Sequence, residues 1–142
     1  MRYFLRAESF FNVAREIDAA GGGRLQAHGG RPLHQMSHGE SFLALALERF
    51  APDGVFVLDE PEAALSPQGA LTFLRRVREL CLEGAQFVLA THSPILLAYP
   101  DAFIYELSEH GIERVAYEQT DHYRLTRSFL ENPAGFLRHL FG

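Results

Sequence analysis

Cysteine occurs once in this chain of 142 residues, at Cys81. No internal disulfide and no cysteine-rich zinc site can be built from it, and a reducing cytoplasm is the natural compartment. No uninterrupted apolar stretch approaches the ~18 residues that a membrane span needs, so membrane insertion is not expected. The N-terminus carries Glu8 early and has no long apolar core, unlike a secretory signal. The seven histidines include no HExxH pattern, and His34 and His38, four apart, fall in a predicted loop. No transition metal is therefore assigned. Positive charge is also in deficit: the formal net charge is −5. That balance argues against a surface dominated by non-specific phosphate binding, although a local basic patch, and with it a DNA partner, stays compatible with it. What remains, with 47% hydrophobic and 22% charged residues, is the make-up of one globular domain over residues 1–142 with a real core.

The most informative tract is Val55-Phe56-Val57-Leu58-Asp59-Glu60-Pro61. Four apolar residues run into two carboxylates that a proline then cuts off. A continuous β-branched and aromatic run fits a strand covered on both faces, as in a parallel sheet. The carboxyl ends of such strands are where α/β proteins place ligands. Asp59 and Glu60 are thus site candidates. One carboxylate can hold Mg²⁺ while its neighbour orients or deprotonates an attacking water. The plainer alternative is a pair of solvated acids following a core strand.

Two further tracts carry comparable ambiguity. Met36-Ser37-His38-Gly39-Glu40-Ser41 precedes an apolar segment, Phe42 to Leu47. Ser37 and Glu40 have the spacing of a capping box. The same residues offer a hydroxyl, a glycine and exposed N–H groups at the positive end of a helix, which suit a terminal phosphate. In Leu89-Ala90-Thr91-His92-Ser93-Pro94, Ser93 and Pro94 read as an N-cap and first helical residue. His92 is then pinned at a strand-to-helix turn, either as an ordinary surface histidine or as a contact to a γ-phosphate and its attacking water.

The remaining pattern is α/β. Tyr3-Phe4-Leu5 reads as a strand end, and Phe10, Val13, Ala14 and Ile17 repeat at helical spacing up to Gly21-Gly22-Gly23. Residues 20–35 read as a surface loop. A helix over 40–50 is predicted, then a strand over 54–58, a helix from Pro67 to about Leu82, a strand over 86–90 and a short helix from Pro94. Residues 103–105 and 112–115, separated by His110-Gly111, predict a hairpin. Two helices broken at Asn132-Pro133 close the chain. Phe129, Leu130, Phe136, Leu137, Leu140 and Phe141 are expected in the core, with exposure of some of them, driving self-association, as the alternative if part of the fold is missing. Arg75, Arg76 and Arg78 are expected on a solvated helix face opposite Leu71, Leu74 and Val77.

In this order the elements resemble the C-terminal part of an ABC-type ATPase, the superfamily that includes transporter nucleotide-binding subunits and the chromosome-maintenance and DNA-repair ATPases. Met36 to Glu40 looks like the signature motif, with His38 where glycine is usual. Val55 to Glu60 looks like Walker B and its catalytic glutamate. Ala63-Ala64-Leu65-Ser66 looks like the D-loop, with serine replacing the usual aspartate, and His92 looks like the switch histidine. These departures are closer to the repair-type and AAA-family branch than to transporters. The resemblance spans roughly residues 1–107. It implies a P-loop NTPase-like parallel-sheet core with flanking helices, and the cofactors ATP and Mg²⁺. It further implies Mg²⁺ assistance by Asp59, a base or water-orienting role for Glu60, and γ-phosphate sensing by His92. Ser37, Gly39 and Glu40 would meet ATP held by a partner subunit, with Ala63 to Ser66 lining the dimer interface. Tyr3 to Glu8 occupies the place of the Q-loop but contains no glutamine.

One element of that family is missing from these residues: no Gly-x-x-x-x-Gly-Lys-Ser/Thr phosphate loop occurs, and the tracts around Gly21 and Gly29 lack its lysine. That loop supplies the backbone nest and lysine for the β- and γ-phosphates. The expectation is a partial ATPase domain, inactive alone, that works with a second copy of itself or with a complete ATPase subunit. The alternative is a non-hydrolysing regulatory module that keeps the dimer face and acts on a protein partner. A partial domain should also leave an unpaired sheet edge and self-associate.

Overall fold

A computed structural model describes residues 2–6, as backbone, and residues 50–142. The predicted helix around Phe10 to Ile17, the loop over 20–35, Ser37, Gly39, Glu40 and all but the last residue of the helix predicted over 40–50 lie outside the described residues; Phe50 is described and is not helical. The chain divides into two compact units, Met1–Thr91 and His92–Gly142.

The first unit is a parallel sheet carrying a helix. Its strands are β1 (Arg2–Arg6), β2 (Val55–Asp59) and β3 (Gln86–Ala90), in the order β1-β2-β3. β2 is central because it has the densest β-branched and aromatic run, which suits a strand bonded on both sides. The register is unslipped: Arg6, Asp59 and Ala90 are Cα partners at the carboxyl end. Among the described residues β3 pairs with a strand on one side only. Phe56 and Leu58 are fully buried, whereas Val55 and Val57 are half-buried and Val88 on β3 is 51% exposed. The face carrying Phe56 and Leu58 is buried and the face carrying Val55 and Val57 is half-buried, where the sequence predicts a strand covered on both faces. Phe50, Phe56 and Phe87 form an aromatic cluster, with Phe56 and Phe87 stacked at 4.9 Å and Phe50 tilted 4.4 Å from Phe56.

Helix α1 (Pro67–Leu82) starts where Ser66 Oγ accepts the Gly69 amide at 3.1 Å and Pro67 presets the first turn. Ala70, Phe73, Val77 and Leu80 are its buried stripe, spaced three and four apart as one helical face requires. Leu71, predicted to be in that stripe, is 52% exposed. Arg76 corrects the opposite expectation. Its guanidinium donates to the Phe50 carbonyl and to Glu79, each at 3.3 Å, with the side chain largely covered, while Arg75 stays solvated. The helix ends in a Schellman motif: Gly84 N–H donates to the Cys81 carbonyl at 3.1 Å, and Ala85 N–H to Leu80 at 2.9 Å. Gly84 sits at φ +96, and a Cβ there would meet the Asp53 side chain, so glycine is required.

The second unit begins with α2 (Pro94–Leu97), capped by Ser93 Oγ, which accepts the Leu96 amide at 3.4 Å. An antiparallel hairpin follows, β4 (Ile104–Ser108) and β5 (Gly111–Val115), closing through Glu109 and His110 with Gly111 at φ +123. Helices α3 (Asp121–Glu131) and α4 (Pro133–Phe141) are separated by Asn132, whose Oδ1 caps α4 through the Gly135 amide at 3.0 Å. Thr120, the N-cap of α3, is the unit's buried polar anchor. Its hydroxyl donates to the Tyr117 carbonyl at 2.8 Å and accepts the Tyr123 amide at 3.3 Å.

Most of the terminal apolar residues take the exposed alternative rather than the core, with Phe136 half-buried. Leu130, Leu140 and Phe141 are strongly exposed, Phe129 and Leu137 are over a third exposed, and neither α3 nor α4 buries a residue. The periodicity is real, but its described contact is one helix on the other, with the Phe129 and Phe136 rings edge to face at 5.7 Å. A pair of short helices cannot enclose both of its own faces.

Candidate functional site

The parallel sheet brings its three strand ends to one edge, the position at which α/β sheets present ligand-binding groups. Asp59 is the last residue of β2, half-buried, with Arg6 and Ala90 as its lateral Cα partners. Glu60 leaves the strand in the left-handed region, φ 48 and ψ 51. That conformation costs a non-glycine residue roughly 1–2 kcal/mol. Backbone bonds fix it from both sides: the Glu60 amide donates to the Ala90 carbonyl at 2.8 Å, and the Glu60 carbonyl accepts the Ala63 amide at 3.0 Å. The side chain is solvent-exposed. A left-handed glutamate at a strand end, its backbone tethered on both sides, is the kind of outlier that clusters at functional sites.

Pro61 is buried and opens a 3-10 turn, Pro61–Ala64, directly behind Glu60. Ala63 is exposed, Ala64 and Leu65 are half-buried, and Leu65 is extended. Ser66, read from sequence as part of this loop, also caps α1. The Ser-Pro pair ahead of an apolar-periodic helix was the signal for that second role. Asp59, Glu60 and Ala63 to Ser66 thus form one continuous segment of the first unit.

His92 opens the second unit and is exposed, with Ser93 capping the helix that follows. Its Nδ1 lies 3.1 Å from Nε2 of His122, and the two rings meet edge to face at 4.9 Å and 70°. His92 is a candidate from sequence; its ring partner His122 carries no sequence signal. Thr120 marks a helix start two residues earlier, but no pattern links positions thirty apart. Through the backbone of β1, Arg6, which follows the apolar tract Tyr3-Phe4-Leu5, comes into register with Asp59. Ser37, Gly39 and Glu40 lie outside the described residues.

The donor set bears on the metal. Among the described residues no group of three or more histidine, cysteine, aspartate or glutamate side chains could hold an ion. One strand-end aspartate with a neighbouring glutamate matches Mg²⁺, which takes one or two carboxylates and keeps several waters. Asp59 and Glu60 fit that ion, whereas a phosphate cradle is not among these residues. No helix among the described residues is long and apolar enough to cross a membrane.

Comparison with known proteins agrees with this architecture. The family described as "AAA domain, putative AbiEii toxin, Type IV TA system" matches residues 26–98, just over half of the chain. The chain belongs to that family. Three relatives carry the name "Putative ABC transporter ATP-binding protein". That of Caldanaerobacter subterraneus subsp. tengcongensis is 36% identical over 87 residues, covering 60% of this chain and 36% of the relative. That of Methanothermobacter marburgensis is 38% identical over 80 residues, 55% of this chain and 28% of the relative. That of Methanothermobacter thermautotrophicus is 36% identical over 84 residues, 58% of this chain and 30% of the relative. The chain spans about a third of the length of these curated relatives. No solved structure matches it.

Proposed function

We propose that this chain supplies the Walker B, D-loop, switch-histidine and signature part of an ABC-type ATPase site in one partial domain spanning residues 1–142. The phosphate loop comes from outside these residues. The observation that carries the reading is the left-handed, doubly tethered Glu60 beside Asp59 at the carboxyl end of a parallel strand. Asp59 would hold Mg²⁺ through its waters. Glu60 would orient or deprotonate the attacking water, and His92 would donate to a γ-phosphate oxygen. Ser37, Gly39 and Glu40 would complete the site of a second subunit, and Ala63 to Ser66 would line the contact between subunits. ATP hydrolysis at such a site depends on positioning and charge stabilisation more than on covalent chemistry by the protein. Membership of the AAA family and the likeness to proteins named for ATP binding support this reading. A cytoplasmic location belongs with it.

The test uses the protein with a phosphate-loop segment present in cis or supplied by a partner subunit. Mg-ATP should raise its melting temperature. Glu60→Gln should keep that stabilisation while lowering kcat by about 10²–10⁴-fold, the range for loss of a general base. Absence of any ATP-dependent stabilisation refutes the proposal. The lack of a phosphate loop in these residues favours a second reading, a regulatory module that retains the dimer face without hydrolysis. In that case Glu60→Gln would change neither turnover nor partner binding.

A further inference from the structure

We infer that His122 is a positioning residue for His92: it donates from Nε2–H to His92 Nδ1 and so keeps the His92 proton on Nε2, as a donor aimed at an anionic oxygen. This rests on the reading of His92 as the phosphate-facing histidine. The two ring nitrogens are 3.1 Å apart. In a neutral pair at that separation one must donate and the other accept. Which one donates follows from the backbone around His122. It is the second residue of α3, after the N-cap Thr120 and Asp121. A helix start presents N–H groups and positive potential. The ring nitrogen closer to that backbone, Nδ1, is better placed there as a lone pair than as a second N–H. The His122 proton then resides on Nε2, which faces His92. His92 Nδ1 must accept, and a histidine that accepts at one nitrogen carries its proton on the other.

Both rings are exposed, so the pair persists only if its backbones are held, and the structure shows how they are. The Tyr117 hydroxyl donates to the Pro94 carbonyl at 2.9 Å, tying the turn before α3 to the helix start beside His92. Burial, with smaller contributions from Tyr123 and Glu118, pushes the Tyr117 phenol above its ordinary pKa, which keeps that hydroxyl a donor. Thr120 links the same turn to α3, its hydroxyl bonded to both Tyr117 and Tyr123. Glu106 accepts the Asp121 amide at 3.1 Å, fixing α3 to the hairpin as well.

The decisive measurement is long-range ¹⁵N–¹H NMR of the 142-residue chain labelled at histidine, at a pH where both rings are neutral. His92 should carry its proton on Nε2, and its Nδ1 resonance should show the upfield displacement of a hydrogen-bond acceptor. That displacement should vanish in His122→Ala and return in His122→Gln, whose side-chain amide restores an N–H donor. A proton on His92 Nδ1, or a Nδ1 resonance indifferent to His122→Ala, overturns the inference. A fold lost in His122→Ala would show as dispersed shifts lost across the second unit, and the His122→Gln spectrum then decides alone. The nucleotide reading is judged separately, by turnover of His92→Ala in the protein carrying a phosphate loop. A silent His92→Ala refutes that reading and leaves the NMR result standing.

Discussion

Replacing Glu60 by glycine and by alanine separates backbone strain from side-chain chemistry at the strand end. Both substitutions remove the same carboxylate and whatever it contacts, so their difference isolates the conformation at φ 48, ψ 51. Alanine pays roughly 1–2 kcal/mol to stay left-handed, whereas glycine pays about 0.5–1 kcal/mol of extra chain entropy on folding. Glycine should therefore be the more stable variant by ~0.5–1 kcal/mol, the reverse of the usual order within a strand or helix. The tethers make this demanding, because the Glu60 amide bonded to Ala90 and its carbonyl bonded to Ala63 prevent the alanine variant from relaxing to negative φ without losing one of them. Urea denaturation followed by far-UV circular dichroism reads the difference as a shift in midpoint at constant m. For a chain near this size the corresponding change in melting temperature is roughly 1–4 °C. Equal stability, or alanine above glycine, would show that Glu60 is not held left-handed. Both variants should be equally inactive wherever the wild-type site turns over ATP, so stability and activity part company at this residue.

Phe56→Ala should cost about 3–5 kcal/mol, since the ring is fully buried between Phe50 and Phe87; a loss under 1 kcal/mol in urea titration would contradict the cluster's place in the core. Thr120→Ala removes a cap and a bond to the Tyr117 carbonyl and should destabilise by roughly 1–3 kcal/mol, with Thr120→Ser recovering most of it; hydrogen exchange of the Tyr123 amide is the local check. Arg76→Met should cost about 1 kcal/mol by stranding the Phe50 carbonyl, while Arg78→Met on the exposed face should stay within about 0.5 kcal/mol, and equal losses would mean that Arg76 is as solvated as the sequence predicts.

The elements that sequence located best are those whose signals are local. Helix α1 was legible from Pro67 to about Leu82, and the structure shows why its ends are local: Ser66-Pro67 starts it and Glu83-Gly84 stops it, both within a few bonds of the backbone they satisfy. Strands β2 and β3 were legible from apolar runs that end in a carboxylate or a threonine, and the α3 to α4 break from Asn132-Pro133. Burial was less legible. The stripe of α1 is Ala70, Phe73, Val77 and Leu80 rather than one including Leu71, because hydrophobicity marks a face only to within about one position and the partner surface chooses the rest. In α3 and α4 the periodicity states that an apolar face exists and says nothing of what covers it.

The candidate site divides along the same line. Asp59 and Glu60 were readable as acids at a strand end because residue type and strand termination are both local. The left-handed turn at Glu60 was not readable, since glutamate is a poor residue for it and only the pairing of β2 with β3 supplies the Ala90 carbonyl that holds the amide. A poor local fit kept in place by tertiary bonds is what local sequence signals miss, and the role proposed for the Glu60 carboxylate would account for a fold that bears its cost. His122 fails to announce itself for a related reason. Its role depends on a partner thirty residues away, and its own neighbourhood, a capped helix start, is sufficiently explained without it. At both residues a long-range contact, the Glu60 amide to Ala90 and the His122 ring to His92, is superimposed on an ordinary local motif.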